Sequence, residues 1–226
     1  MNNSGINYTT RKLNEVVVKT ASQLSGVLDS EKVYFIDGLI DVTSIVPILV
    51  PSGGLYMNGH GYGISGLCST GASDVMFQTP NAKQTISSDR TGGTFTLTFD
   101  GQTTSALNWN ATSAQIDAAL EALSNIGAGD VACTGGDLPT AVVVEFTGTL
   151  AKTEVAVMTV TDSGTGGTSV AVAQTAAGYS GDFVVQNVFF YQSGAGSKLF
   201  DINNNSNFSA FELKSVNLGT FGATTP

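Results

Sequence analysis

Charged side chains are scarce in this sequence: 12% of its 226 residues are Asp, Glu, Lys or Arg, about half the share usual in a soluble globular domain. Hydroxyls and amides must therefore cover much of the surface. The charge present leans to one sign, nine Lys and Arg against eighteen Asp and Glu, for a formal net charge of −9. Nucleic-acid binding rests on clustered basic residues that release counterions from phosphates, so this balance excludes it. The single histidine, His60, rules out a multi-histidine metal site. Two cysteines, Cys68 and Cys133, permit one disulfide at most, and both read more simply as small hydrophobes.

Long apolar runs are missing as well. None approaches the roughly 20 residues of a membrane-spanning helix, and residues 1–14 (MNNSGINYTTRKLN) lack the apolar stretch of a signal peptide. No membrane insertion is expected. Proline is rare, five residues against 27 glycines, and helical periodicity is confined to a few stretches. Many tight turns and a mainly β chain follow.

The pattern that is present is an interrupted one. From about Gly92 to Gly178 the chain is rich in Thr, Ala, Val and Gly, whereas both flanks carry short apolar runs punctuated by Gly, Ser, Asn or Pro. Insertion is tolerated at exposed loops whose ends lie close together, so the flanks are expected to join into one scaffold. Residues 1–14 read as an extended arm that anchors the protein to a partner. The scaffold spans 15–91, the inserted module 92–178, and the scaffold resumes over 179–226.

In the first flank, Glu15–Lys19 reads as a strand, and Thr20 with Gln23 forms a capping box opening a short helix with Leu24, Val27 and Leu28 on its apolar face. The runs VYFIDG, LIDVTS, PILVPSGG, LYMNGHG and GISGLCS follow. Strands this short and close stack as solenoid coils, each burying its neighbour's face. A parallel β-helix with an N-terminal capping helix is expected. In the second flank Val184, Val188, Leu199, Ile202, Phe211, Leu213 and Val216 are candidate interior residues. Asn187, Asn203 and Asn217 punctuate it, since Asn tolerates left-handed backbone and can ladder between coils. No closing cap precedes Pro226, so a continuing polypeptide or a covering partner is expected.

The inserted module opens with Phe95, Leu97 and Phe99 alternating with threonines, then Asp100-Gly101, a two-residue hairpin signal, then Gln102–Leu107. Thr112 and Gln115 form a second capping box, with Ile116, Ala119, Leu120 and Leu123 at helical spacing. Strands at Val131–Thr134, Ala141–Thr147, Glu154–Val160 and Thr168–Gln174 complete a small β-sandwich or α+β domain.

Two stretches carry a family resemblance. The run GTFTLTF-DG-QTT…NATSAQIDAALEAL resembles an insertion module of tailed-bacteriophage structural proteins. The flanks, through EKVYFIDGLIDV, VPSGGLYMNGHGYGIS and KLFDINNNSNFSAFEL, resemble β-helical phage tail and virion proteins, and residues 15–70 resemble the start of right-handed, pectate-lyase-type β-helices. These resemblances imply a virion-surface tail spike, tail fibre or head-decoration protein acting in host attachment. They imply a homotrimer, joined to other virion proteins by its arm, with a host-surface glycan as a possible ligand. The alternative is a polysaccharide depolymerase, a lyase or glycosidase working on the solenoid face.

No coherent catalytic, cofactor or metal site emerges. GYGISG at Gly61–Gly66 matches a dinucleotide-binding string, but no helix follows to meet a pyrophosphate. His60 has no nucleophile elbow beside it. Carboxylate pairs Asp37 with Asp41 and Asp201 with Glu212 suit glycan cleavage, yet no spacing places them together. Asp130, Asp137 and Asp162 lack an ordered calcium loop. The aromatic run Phe189-Phe190-Tyr191 could stack on sugar, although alternate members of such a run face a core.

Overall fold

The structure, a computed structural model, describes residues 14–26, 28–59, 65–72, 74–178, 182–201, 211–214 and 217–219. Its strands in chain order are β1 (Asn14–Val18), β2 (Lys32–Ile36), β3 (Leu39–Asp41), β4 (Ile48–Leu49), β5 (Gly54–Gly59), β6 (Gly66–Ser69), β7 (Val75–Gln78), β8 (Lys83–Ser88), β9 (Gly92–Phe99), β10 (Gln102–Thr103) and β11 (Leu107–Asn108). Helix α1 (Ser113–Glu121) follows. The chain continues with β12 (Val131–Gly135), β13 (Val142–Phe146), β14 (Thr159–Thr165), β15 (Val170–Ala176), β16 (Asp182–Gln186), β17 (Phe189–Gln192), β18 (Lys198–Asp201), β19 (Phe211–Lys214) and β20 (Asn217–Gly219). It is mainly β and divides into two units, one holding the described residues up to Gln78 and from Asp182 on, the other those from Thr79 to Gly178.

In the first unit every strand pairs in parallel. Three sheets result, ordered β1-β2-β5-β16-β19, β3-β6-β17-β20 and β4-β7-β18. Successive strands visit them in rotation, so β2, β3 and β4 make one circuit, β5, β6 and β7 the next, and β16, β17 and β18 the third. The third circuit lies against the second in register, with Phe183 opposite Leu55, Phe190 opposite Leu67 and Phe200 opposite Phe77. Each sheet sends an aromatic ring to one interior: Phe77 lies 5.6 Å from Phe183 and 5.5 Å from Phe190, edge-on to both. Such pairs contribute about 0.5–1.5 kcal/mol beyond the area they bury.

The bend between β16 and β17 is made by Asn187 at φ +55°, and its side-chain amide donates to Asn58 Oδ1 at 3.0 Å. Both roles expected of asparagine are met at this residue; Asn203 lies outside the described residues and Asn217 begins β20. Gly59 allows the close approach, since a Cβ there would sit 1.8 Å from the Asn187 carbonyl oxygen. Val184 and Val188 are buried as expected, while Leu199 is half-buried. Phe183 and Val185, left out of the expected interior, are fully buried, and Gln186 is buried too. Strand β16 is covered on both faces, so alternation alone understates its burial. The side chains of Ile202, Phe211, Leu213 and Val216 lie outside the described residues.

The expected capping helix is a single 3-10 turn, Ala21–Leu24. Gln23 Oε1 accepts from the Thr20 N–H at 3.1 Å, as the capping pattern requires, and Leu24 and Leu28 are buried. Gln23 also donates to the Val17 carbonyl, and Ser25 has extended backbone, which stops the turn. Val27 lies outside the described residues.

The second unit is two antiparallel four-stranded sheets, β9 with β10, β11 and β14 around it, and β12-β13-β8-β15. Phe95, Leu97 and Phe99 from the first share a core with Ile86, Val142, Val144 and Phe146 from the second and Ile116 and Leu120 from α1. Phe99 stacks on Phe146 at 5.3 Å. Asp100 and Gly101 have φ +43° and +80°, the paired positive angles of a type I′ hairpin. At α1, the Gln115 N–H donates to Thr112 Oγ1 and the Thr112 N–H to Gln115 Oε1, so the second capping box is formed. Leu123, expected on the helix, lies two residues past its end but is still buried.

Three expectations for this unit need correction. It begins at Thr79 rather than residue 92, because β8 pairs with both β13 and β15. Gln84 occupies an inward position of β8 and hides its apolar alternation. Residues 154–158 are not a strand. There the fully buried Gln84 side chain does a neighbouring strand's work, donating to the Ala156 carbonyl at 2.9 Å and accepting from the Met158 N–H at 2.9 Å. Finally, Gln102–Leu107 forms two separate two-residue strands, and Asp162–Thr165 of the expected DSGTGG turn belong to β14.

Candidate functional site

The residues weighed for chemistry do not converge. His60 and Gly61–Ile64 lie outside the described residues. Asp37 pairs with Lys19 at 3.4 Å, while Asp41 Oδ1 accepts from the Thr43 N–H at 2.9 Å; Thr43's hydroxyl and N–H hold its carboxyl below the usual range. Asp201 and Glu212 lie on β18 and β19, in different sheets. Phe190 is buried, with Phe189 and Tyr191 half-buried, so the middle ring belongs to the interior.

The three calcium candidates are engaged separately. Asp130 is buried and accepts from the Thr149 N–H and hydroxyl at 2.7 and 2.8 Å and from the Gly127 N–H at 2.9 Å, which lowers its pKa. Asp137 accepts from the Ser113 N–H at the start of α1. Asp162 receives a fork from Arg90, Nε at 2.9 Å and Nη2 at 2.7 Å, plus the Gly164 and Val170 N–H groups. Arg90 and these N–H groups lower its pKa. Among the described residues, no group of three or more His, Cys, Asp or Glu is arranged to hold a metal.

Both cysteines are free thiols. Burial, followed by the charges of Asp117 and Glu121, raises the Cys133 pKa, and burial followed by Asp41 raises that of Cys68. Neither is a reactive thiolate at neutral pH.

What the second unit presents instead is an uncharged sheet face. Because Phe95, Leu97 and Phe99 turn inward, Thr94, Thr96 and Thr98 of β9 turn outward. Register extends the row: Thr159 lies opposite Thr98, Thr161 opposite Thr96 and Ser163 opposite Thr94. Thr103 and Asn108 join from the other side, opposite Thr98 and Thr94. All five of these cross-strand partners, Thr159, Thr161, Ser163, Thr103 and Asn108, are exposed, while the three β9 threonines are half-buried. Thr98 and Thr103 hydroxyls bond at 2.8 Å. Threonine's β propensity explains the strands, but the face also lacks any ionisable group. This array was legible as alternation in TFTLTF; its cross-strand extension was not.

Beside the β9–β10 hairpin lies a cleft of about 310 Å³ lined by Phe99, Asp100, Asn125, Leu150, Glu154 and Val155, among others. Asn125 Nδ2 donates to the Phe99 carbonyl at 3.0 Å, which ties its floor to the hairpin. Glu154 is held by Gln174 Nε2 at 2.9 Å. No sequence signal marked these residues as neighbours in a cleft.

No protein-family model matches the chain, and no curated protein matches it. A solved structure from Mycobacterium phage Patience is similar over 43% of this chain at 18% identity, with a TM-score of 0.33; the match spans 38% of that structure's chain.

Proposed function

We propose that the chain is a structural component of a tailed-phage virion, of tail-spike, tail-fibre or head-decoration type, and that it acts in host attachment rather than catalysis. In this reading the three-sheet circuits of the first unit are the coils of a right-handed parallel β-helix, a stiff stalk, and the second unit is an adhesion or spacer module carried on it. One observation bears most of the weight. The chain leaves after β7, builds a complete sandwich, and resumes at β16 directly against β5, with Phe183 opposite Leu55 and Val185 opposite Met57. A solenoid whose register survives an insertion of this size is a scaffold suited to carrying cargo.

The stalk works as a homotrimer on the virion surface, joined to other virion proteins through residues 1–14. Labelling purified particles with an antibody to the chain, together with light scattering on the pure protein, tests this. Labelled particles and a mass near three times 23.2 kDa are expected. A monomer absent from particles overturns the reading.

A further inference from the structure

From the cleft beside the β9–β10 hairpin we infer that the second unit binds a primary ammonium carried on an aliphatic stem. The inference goes beyond the virion role and does not depend on it. The β9–β14 ladder ends at Thr98 and Thr159, and just before Thr159 the Ala156 carbonyl and the Met158 N–H bond to the Gln84 side chain instead. A cleft of about 310 Å³ lies beside this end of β9, near the lower limit of those that hold small ligands. Buried Phe99 and Val155 and half-buried Leu150 give it apolar walls, and exposed Asp100 and Glu154 supply carboxylates.

The acceptors around this cleft lack donors. Asn125 Nδ2 is held by the Phe99 and Asp100 carbonyls at 3.0 and 3.5 Å, while Asn125 Oδ1 is buried with no hydrogen-bond partner among the described residues. Buried polar atoms are otherwise paired, so this oxygen is an exception that a bound donor would remove. The Asp100 carboxylate also has no partner among the described residues, and one oxygen of Glu154 is taken by Gln174 Nε2. Among the described residues, no Lys or Arg lines the cleft. A fitting ligand must therefore bring both donors and positive charge. An ammonium offers three rotatable donors on a compact charge to these three acceptor groups, whereas a guanidinium fork concentrates its donors on one carboxylate. Two carboxylates and one amide oxygen fall short of the roughly six to eight oxygens that calcium takes. The apolar walls suit the methylene stem on which such a charge is carried. Exposed charges attract weakly, so affinity in the millimolar range is expected.

The test is a titration of the isotope-labelled full chain with n-pentylamine in its ammonium form, following the Asn125 side-chain amide and the Gly101 N–H by NMR, with n-pentanol as the uncharged comparison. Saturable shifts of both resonances with the amine, and none with the alcohol, are expected. The double variant Asp100→Asn/Glu154→Gln should weaken binding at least tenfold; Asn-Gly suits the same hairpin, and undisturbed resonances elsewhere verify its fold. Glu15→Gln/Glu31→Gln, an equal change of net charge in the first unit, should leave binding unchanged. A second arm uses Nα-acetyl-lysine methylamide. Saturation by this probe as well assigns the cleft to a lysine side chain of a partner, and its exclusion while pentylamine binds assigns it to a free amine. Absence of a saturable shift with either amine, an equal response to pentanol, or undiminished binding by Asp100→Asn/Glu154→Gln overturns the inference.

Discussion

The side-chain amide of Asn187 donates to Asn58 Oδ1 at 3.0 Å across 129 positions of sequence. Asn58 is buried, and Asn187 holds a left-handed backbone at φ +55°. One residue thus turns the chain from β16 to β17 and fastens the third circuit to the second. Asn187→Ala loses the amide pair and pays for an unfavourable backbone angle. A loss of about 2 kcal/mol is expected in urea unfolding. Asn187→Gly, free at positive φ, should lose less, and equal losses for the two would mean that the backbone angle contributes nothing.

Gln84 is a second side chain that substitutes for backbone. Its amide satisfies the Ala156 carbonyl and the Met158 N–H, and its removal leaves both unpaired. With about 1–3 kcal/mol for each orphaned buried group, Gln84→Leu should cost roughly 2–4 kcal/mol in chemical denaturation. Leucine also fills the space, so the loss reports bonding, not a cavity.

Acid should loosen the β14–β15 turn. Asp89 accepts from the Ser169 and Thr168 N–H groups at 2.8 and 2.7 Å, which hold its pKa at about 2 against the ordinary 3.8. Its folded pKa is depressed, so its contribution is fully present above pH 4 and disappears as pH falls through about 2. Asp162 and Asp130 shift in the same direction. Thermal unfolding followed from pH 6 to pH 2 should show stability falling below about pH 4. Asp89→Asn should flatten that fall by removing one of its contributors.

The second unit should fold without its flanks. Its core residues, from Ala82 to Val170, all come from within it, and both its sheets close on strands of its own. A fragment of residues 79–178 should unfold in one cooperative transition with dispersed amide resonances. A fragment starting at residue 92 lacks β8 and should not fold, because β13 and β15 then lose the strand between them.

Much of this was readable from residues alone where the signal was local. Phe95, Leu97 and Phe99 announced their strand by alternation, Asp100-Gly101 its hairpin, and Thr112 with Gln115 the start of α1, since each depends on neighbours within a few positions. The rest depended on distant partners. Gln84 looked like an ordinary polar residue because the backbone it serves is more than 70 positions away. Residues 154–158 looked like a strand because their apolar members resemble one. The hydroxyl face required cross-strand register, which alternation within one strand does not specify.

The amino-acid order by itself determined a mainly β chain, its turns, helix α1 and its low-charge surface, because these follow from side-chain shape, period and solvation over short spans. Tertiary structure alone decided where the second unit starts, which carboxylates are spent on backbone N–H groups, and which threonines stand side by side. Those outcomes are set by pairing between segments far apart in the chain, and the free energy of each pairing depends on surfaces that exist only once both segments have met.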